Sequence, residues 1–242
     1  MITRNTNSKE KRRWLFVSLL FFACALFLRF AMLDNKPIHF DESINMWFVK
    51  RIWEDGFFKY DPTNYHGPLY FYLVQFAQLF TGFDFISTRL VSSVFSFGSV
   101  VLLWFGPSQN RTAFRFAALL MLLSPGMGFY GRSGIHEATF VFFQILTFMA
   151  VHFLIEKDMR KFWLAAVAGL LGMMALKETF VILILALFPA AGITLWLERK
   201  NHSVTEWVTQ ARRSFEDSKL QATVLIMLLV FVGLYSGFGG NV

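Results

Sequence analysis

Charge is what this chain has least of. Asp, Glu, Lys and Arg make up 16% of its 242 residues, against about 25% in an average soluble domain, too few to coat a water-facing surface. Cysteine is almost absent. The single Cys24 excludes an intrachain disulfide and a cysteine-based zinc site, and leaves the redox compartment unreported. No internal repeat, low-complexity linker or stretch of ordinary soluble composition breaks the sequence. What is present is apolar: 55% hydrophobic residues, 31 phenylalanines among them, and a mean hydropathy of +0.49. A net charge of +7 and a pI near 9.7 would suit nucleic acid as a partner. Position decides against it, because the basic residues cluster between apolar runs rather than along one face.

Those runs cover residues 14–33, 87–105, 114–130, 138–155, 162–176, 179–197 and 222–235. Several reach the roughly 20 residues that a bilayer requires of a helix. They predict an all-α, polytopic transmembrane bundle of about seven spans, forming a single domain over 1–242. The first run follows a basic segment, as in a signal peptide, and Phe22-Ala23-Cys24 faintly resembles a lipoprotein cleavage site. The run continues past Cys24, which favours an uncleaved first helix, with Arg29 near its outer end snorkelling or facing a cavity. Residues 68–80 are apolar but short, bracketed by Gly67 and Gly82, and predict a helix lying in or dipping into the interface.

The basic residues then set orientation. Arg4 to Arg13, Arg111 with Arg115, Lys157 with Arg160 and Lys161, and Arg199 through Lys219 fall on one side of the alternating runs. Asp34, Asp41, Glu42, Glu54, Asp55, Asp61, Asp84 and Glu137 fall on the other. The positive-inside rule makes the first side cytoplasmic. The expectation is a multi-pass protein of the cell membrane with a cytoplasmic amino terminus and a first extracytoplasmic loop over 34–86. Residues 198–220 read as a polar cytoplasmic connection with a short helix around Trp207. The ending, Gly-Phe-Gly-Gly-Asn-Val just after the last run, is expected to mark the amino-terminal part of a longer protein.

The 34–86 loop opens on His39-Phe40-Asp41-Glu42. At 100° per residue, Met46, Phe48, Val49, Ile52 and Trp53 share one arc, Lys50, Arg51, Glu54 and Asp55 another, and Gly56 stops the helix. That profile suits a helix lying on the membrane surface. Asp41 is expected to be its N-cap, a catalytic carboxylate, or both. Capping leaves the adjacent Glu42 and the nearby His39 unexplained. Adjacent helical residues diverge by about 100°, so one hydroxyl meets only one of the two acids: Asp41 is taken as base, Glu42 as holding the acceptor or the helix.

Tyr60-Asp61-Pro62 and Tyr65-His66-Gly67-Pro68 are turn chemistry first, with Tyr65 and His66 as donors to a sugar or phosphate. A second cluster holds Arg132 and Glu137, which capping and a mutual ion pair would explain. A third, Lys177-Glu178, reads alone as a self-neutralising pair at a helix boundary. Three ionisable clusters on one outer face are harder to explain separately than as one site. His39 and His66 with Asp41 or Glu42 also offer ligands for a divalent metal, with His39 and Asp41 as first candidates, but no tight ligand spacing marks them. His152 and His202 are expected to be packing or surface residues.

Together, His39-x-Asp41-Glu42, Tyr60-x-Pro62 and His66-Gly67-Pro68 resemble the GT-C membrane glycosyltransferases, such as the protein O-mannosyltransferases and lipid A aminoarabinose transferases. Within that group the chain is most similar, over roughly residues 10–200, to the archaeal and bacterial flippase activity-associated proteins. The resemblance implies a polyprenyl-phosphate-linked sugar donor and transfer on the outer face to a glycan, lipid or protein acceptor. It places the first-loop acid at Asp41 with Glu42 beside it, the second-loop acid at Glu137, and the lysine at Lys177. Such chemistry inverts the sugar: a carboxylate deprotonates the acceptor hydroxyl, negative charge favours the oxocarbenium-like transition state, and Lys177 with Arg132 receives the departing phosphate. A non-catalytic lipid-carrier or flippase-associated protein would share the phosphate-binding cations without needing Asp41. A transporter would place its acids mid-span, not at the rim.

Overall fold

Every apolar run becomes helix, which lets each backbone N–H and C=O find its partner within the segment, as lipid demands. The computed structural model describes residues 8–61, 63–64, 66–107, 110–156, 160–198, 209 and 216–239. In order they form α1 (Ser8–Phe30), α2 (Phe40–Asp55), α3 (Leu69–Thr81), α4 (Phe85–Trp104) and α5 (Arg111–Leu123). There follow α6 (Pro125–Tyr130), α7 (Glu137–Glu156), α8 (Arg160–Met174), α9 (Phe180–Glu198) and α10 (Ser218–Ser236). No strand occurs among the described residues. The short helix expected around Trp207 lies outside them, as do the basic residues Arg4, Lys157 and Arg199.

Among the described residues three helical stretches, Glu10–Phe30, Phe85–Trp104 and Ser218–Gly239, are long and apolar enough to cross a membrane. Glu137–Phe153 and Lys161–Met174 are shorter apolar helices.

Residues 114–130 do not make the single span expected of them. The helix breaks between Leu123 and Pro125, because proline has no N–H to donate and drives the preceding residue out of the α region. Ser124 sits at ψ 123° and its Oγ accepts from Met127 N–H, starting α6 afresh. The carbonyls left open at the break are closed by Arg29, which is buried within α1 and donates from Nη2 to Met121 O (3.2 Å) and Leu122 O (3.3 Å). Arg29 thus caps a neighbouring helix end.

The helices of the first loop pack onto the bundle. In the apolar arc of α2, Phe48, Val49 and Ile52 join Phe58, Tyr70, Phe71 and Val74 in the main core. Trp53, counted in that arc, is instead half exposed and donates its indole N–H to Gln78 Oε1 at 2.7 Å. One face of α3 packs the same way: its Tyr70, Phe71 and Val74 are wholly buried against α2 and α4, while Phe76, Leu79 and Phe80 on the opposite face stay exposed. A second core joins α1, α4 and α5, where Phe21 stacks on Trp104 with centroids 4.1 Å apart.

Candidate active site

The turn before α2 builds the first wall of the site. His39 is extended (φ −81°, ψ 149°) and is the N-cap, its Nδ1 accepting the Asp41 N–H at 3.2 Å. Glu42 Oε2 accepts the His39 N–H at 2.9 Å, completing a capping box. Asp41 therefore does not cap the helix, contrary to expectation, because the imidazole two residues earlier already holds that position. Its carboxylate is left 56% exposed, with the His39 ring 3.5 Å away.

Glu42 is a strut. It is wholly buried and receives both arms of the Arg89 guanidinium, Nε to Oε1 at 3.0 Å and Nη2 to Oε2 at 2.8 Å. The Gly134 N–H adds a third partner to Oε1 at 2.7 Å. Asn45 returns a bond to Gly134 O at 2.9 Å, and Arg89 also donates to Leu33 O and Pro37 O. Burial works to raise the Glu42 pKa, but Arg89 and the Gly134 and His39 N–H groups outweigh it and hold the carboxyl below its usual range. One buried pair thereby ties the chain after α1, the start of α2, α4 and the loop before α7.

The other wall comes from the His-Gly-Pro turn and the α8–α9 connection. His66 and Lys177 form an isolated antiparallel bridge, flanked by Gly67 N–H to Leu176 O (2.9 Å) and Leu69 N–H to Ala175 O (3.0 Å). Only glycine fits at 67, since a Cβ there would press into the Ala175 carbonyl and the Tyr235 hydroxyl. The bridge sets Lys177 against Glu137, and Nζ donates to Oε1. Neither simple pairing expected from sequence forms. Glu137 meets Lys177 rather than Arg132, and Glu178 accepts from the Tyr60 hydroxyl rather than neutralising Lys177.

Asp41, Asn64, His66, His136, Glu137 and Lys177 line one cavity of about 140 Å³. His66 and His136 stack with ring centroids 4.2 Å apart, and His136 is 1% exposed with Nε2 unpartnered among the described residues. Burial, then the charge of Lys177, lowers the His66 pKa; burial, His66 and Lys177 push His136 well below the ordinary 6.5. Both rings are neutral near pH 7. A folded pKa below the unfolded one means the unfolded chain binds more protons as the solution acidifies. The expected result is a melting temperature that is level above pH 6.5 and falls below it, with a shallower fall in His136→Gln. An unchanged slope in that variant would remove the imidazole pair as the cause.

The remaining predicted residues are placed as follows. Arg132 does not line the cavity; it donates to Ala31 O and Met32 O and closes the end of α1. Tyr65 lies outside the described residues, as does Pro62. His39 and Asp41 lie side by side, but among the described residues no third acid, histidine or cysteine joins them in a metal-binding group. Sequence reasoning passed over Arg89, Asn64 and the buried His136. Arg89 carried a signal, an arginine at the start of an apolar run where an unpaired charge is costly.

The class follows: an all-helical membrane protein with acids, a lysine and neutral imidazoles gathered where its loops meet its helix ends. The chain belongs to the dolichyl-phosphate-mannose-protein mannosyltransferase family, whose model matches residues 65–236. Among curated proteins none matches it. The match takes in Tyr65, His66, Arg132, Glu137 and Lys177 and leaves out His39, Asp41 and Glu42. The family is one of membrane glycosyltransferases that use polyprenyl-phosphate sugar donors.

Proposed function

We propose that the chain is an inverting glycosyltransferase that takes its sugar from a polyprenyl phosphate on the outer face of the cell membrane. One observation carries the reading: the exposed Asp41 carboxylate shares a cavity with the Glu137–Lys177 pair, although the three come from distant loops. In the proposed step an Asp41 oxygen takes the proton of an acceptor hydroxyl. The acceptor oxygen bonds to the anomeric carbon as the carbon–phosphate oxygen bond breaks, and that electron pair leaves on the phosphate. Lys177, turning from Glu137 to the phosphate, offsets the charge that develops there. Glu137, so released, supports the positive charge of the sugar ring. The neutral His66 and His136 add no competing cation. The His-x-Asp-Glu and His-Gly-Pro turns support the flippase activity-associated branch as the nearer kin.

The phosphate assignment predicts that Lys177→Met weakens binding of a polyprenyl phosphate about tenfold or more, the effect of one charged hydrogen bond. Equal affinity in the variant and the native chain would end it. Arg132→Gln is expected to change this binding little, because Arg132 is committed to the end of α1.

The seven-span arrangement, with a cytoplasmic amino terminus, is part of the same proposal and rests on the alternation of basic and acidic loops. In a Cys24→Ser background, Thr63→Cys should react with an impermeant thiol reagent in intact cells and Asn110→Cys should not. The reverse pattern would put the cavity on the cytoplasmic side.

A further inference from the structure

Beside the catalytic cavity lies a larger cleft of about 410 Å³ between α2 and the turn at Asp61–Asn64, within the roughly 300–1,000 Å³ of small-molecule sites. The two share Ile44 and Asn64, so they adjoin. Resting on the transferase reading, we propose that this cleft is the acceptor subsite and that it takes a saccharide.

Its chemistry is what selects the ligand. The Trp47 indole is 54% exposed and is braced by the Phe48 ring at 4.9 Å and 85°. With the Arg51 guanidinium 5.7 Å from its ring centroid, the indole still offers aromatic surface to the C–H face of a pyranose. Asp61 lines the same cleft; its Oδ1 accepts from Thr63 N–H (2.8 Å) and Thr63 Oγ1 (2.6 Å), while Oδ2 has no partner among the described residues. That carboxylate is oriented before any ligand arrives, with one oxygen left for a sugar hydroxyl.

At the junction of the two cavities, Asn64 Oδ1 is engaged with His66 Nδ1 at 3.2 Å. Its amide nitrogen Nδ2 is buried and has no acceptor among the described residues. A buried donor without a partner is uncommon in a native fold and marks a place for a ligand oxygen. A sugar hydroxyl satisfies both needs, accepting from Asn64 and donating to Asp61.

The alternatives fit less well. Among the described residues no lysine or arginine lines the cleft, and Asp61 repels an anion, so the phosphate end of the donor does not belong there. Ser43, Asp61, Thr63 and Asn64 exclude a lipid tail. A sugar seated between Trp47 and Asp61 directs a hydroxyl past Asn64 toward Asp41, where the base is needed.

The test is saturation-transfer NMR on the 242-residue chain in lipid nanodiscs, with mannobiose, chitobiose and maltose as probes and a Ser/Thr-containing hexapeptide as the rival. At least one disaccharide should receive saturation. Trp47→Ala should weaken it about tenfold, the size of a lost ring-stacking contact. Trp47→Phe should restore most of the signal, and Asp61→Asn should weaken it similarly to Trp47→Ala. Polyprenyl-phosphate binding, unchanged in these variants, shows that they fold.

No saturation of any disaccharide by a chain that does bind polyprenyl phosphate would overturn the proposal. So would a disaccharide signal indifferent to Trp47→Ala, or a Trp47-dependent signal from the peptide alone, which would make the acceptor a protein. Failure of the native chain to bind polyprenyl phosphate sinks the donor reading instead. A Trp47-dependent sugar signal in that case still supports the cleft.

Discussion

Glu42→Gln is expected to cost this protein much of its fold, about 3–5 kcal/mol for breaking a buried ion pair from one side. Native stabilities are about 5–15 kcal/mol, so the loss is severe. Glutamine keeps the shape but brings one acceptor oxygen and an NH₂ group to a place built for acceptors only. Arg89, with its side chain 3% exposed, would keep its charge without a counterion. The Gly134 N–H or the His39 N–H would lose its partner as well. A thermal melt in detergent reads this directly, and a midpoint within a degree or two of native would show that Glu42 is no strut. Adding Arg89→Met to the variant should recover part of the loss, because it removes the stranded charge. The recovery is partial, since Arg89 also closes the Leu33 and Pro37 carbonyls. The acid response has the matching sign: a carboxyl held below its usual range stabilises fully above the unfolded pKa near 4.5 and loses that contribution as pH falls through the folded value. This loss sets in near pH 4.5, below the pH 6.5 at which the loss belonging to His66 and His136 begins.

The helices were legible because apolar runs of this length have few other ways to satisfy their backbones. The break before Pro125 was equally legible and went unread, since hydropathy averages over a residue whose effect is local. The site was legible in part. Asp41, Glu137 and Lys177 stand out as ionisable groups at the edges of apolar runs, and the fold brings them to one cavity. Which of the neighbouring groups support that cavity was not legible. Arg89 and Glu42 lie 47 positions apart, and no periodicity links them. His39 was considered as a metal ligand when its ring was the helix cap, because an imidazole is a less usual cap than the aspartate beside it. Arg132 looked like a free cation near the outer acids, yet its Nη2 closes the end of α1 and it does not line the cavity. For Glu42 and Arg132 a partner far along the chain decides the role, and for His39 a local backbone N–H does; sequence spacing records neither.

The account stands on Asp41 as the general base, and one comparison reaches it without detour. Asp41 does not cap α2, its carboxylate is more than half exposed, and its only described side-chain partner is the His39 ring. Asparagine keeps its size, so Asp41→Asn should shift the melting point little, losing no more than about 0.3–1 kcal/mol of favourable charge at the helix start. It cannot accept the hydroxyl proton, and a general base typically contributes about 10²–10⁴-fold in rate. The decisive measurement is sugar transfer from a polyprenyl-phosphate donor by membranes carrying the native chain or Asp41→Asn at matched expression. The account predicts a fall of at least a hundredfold with donor binding and melting point near native; transfer within a fewfold of native would contradict it and leave the chain a lipid-carrier protein.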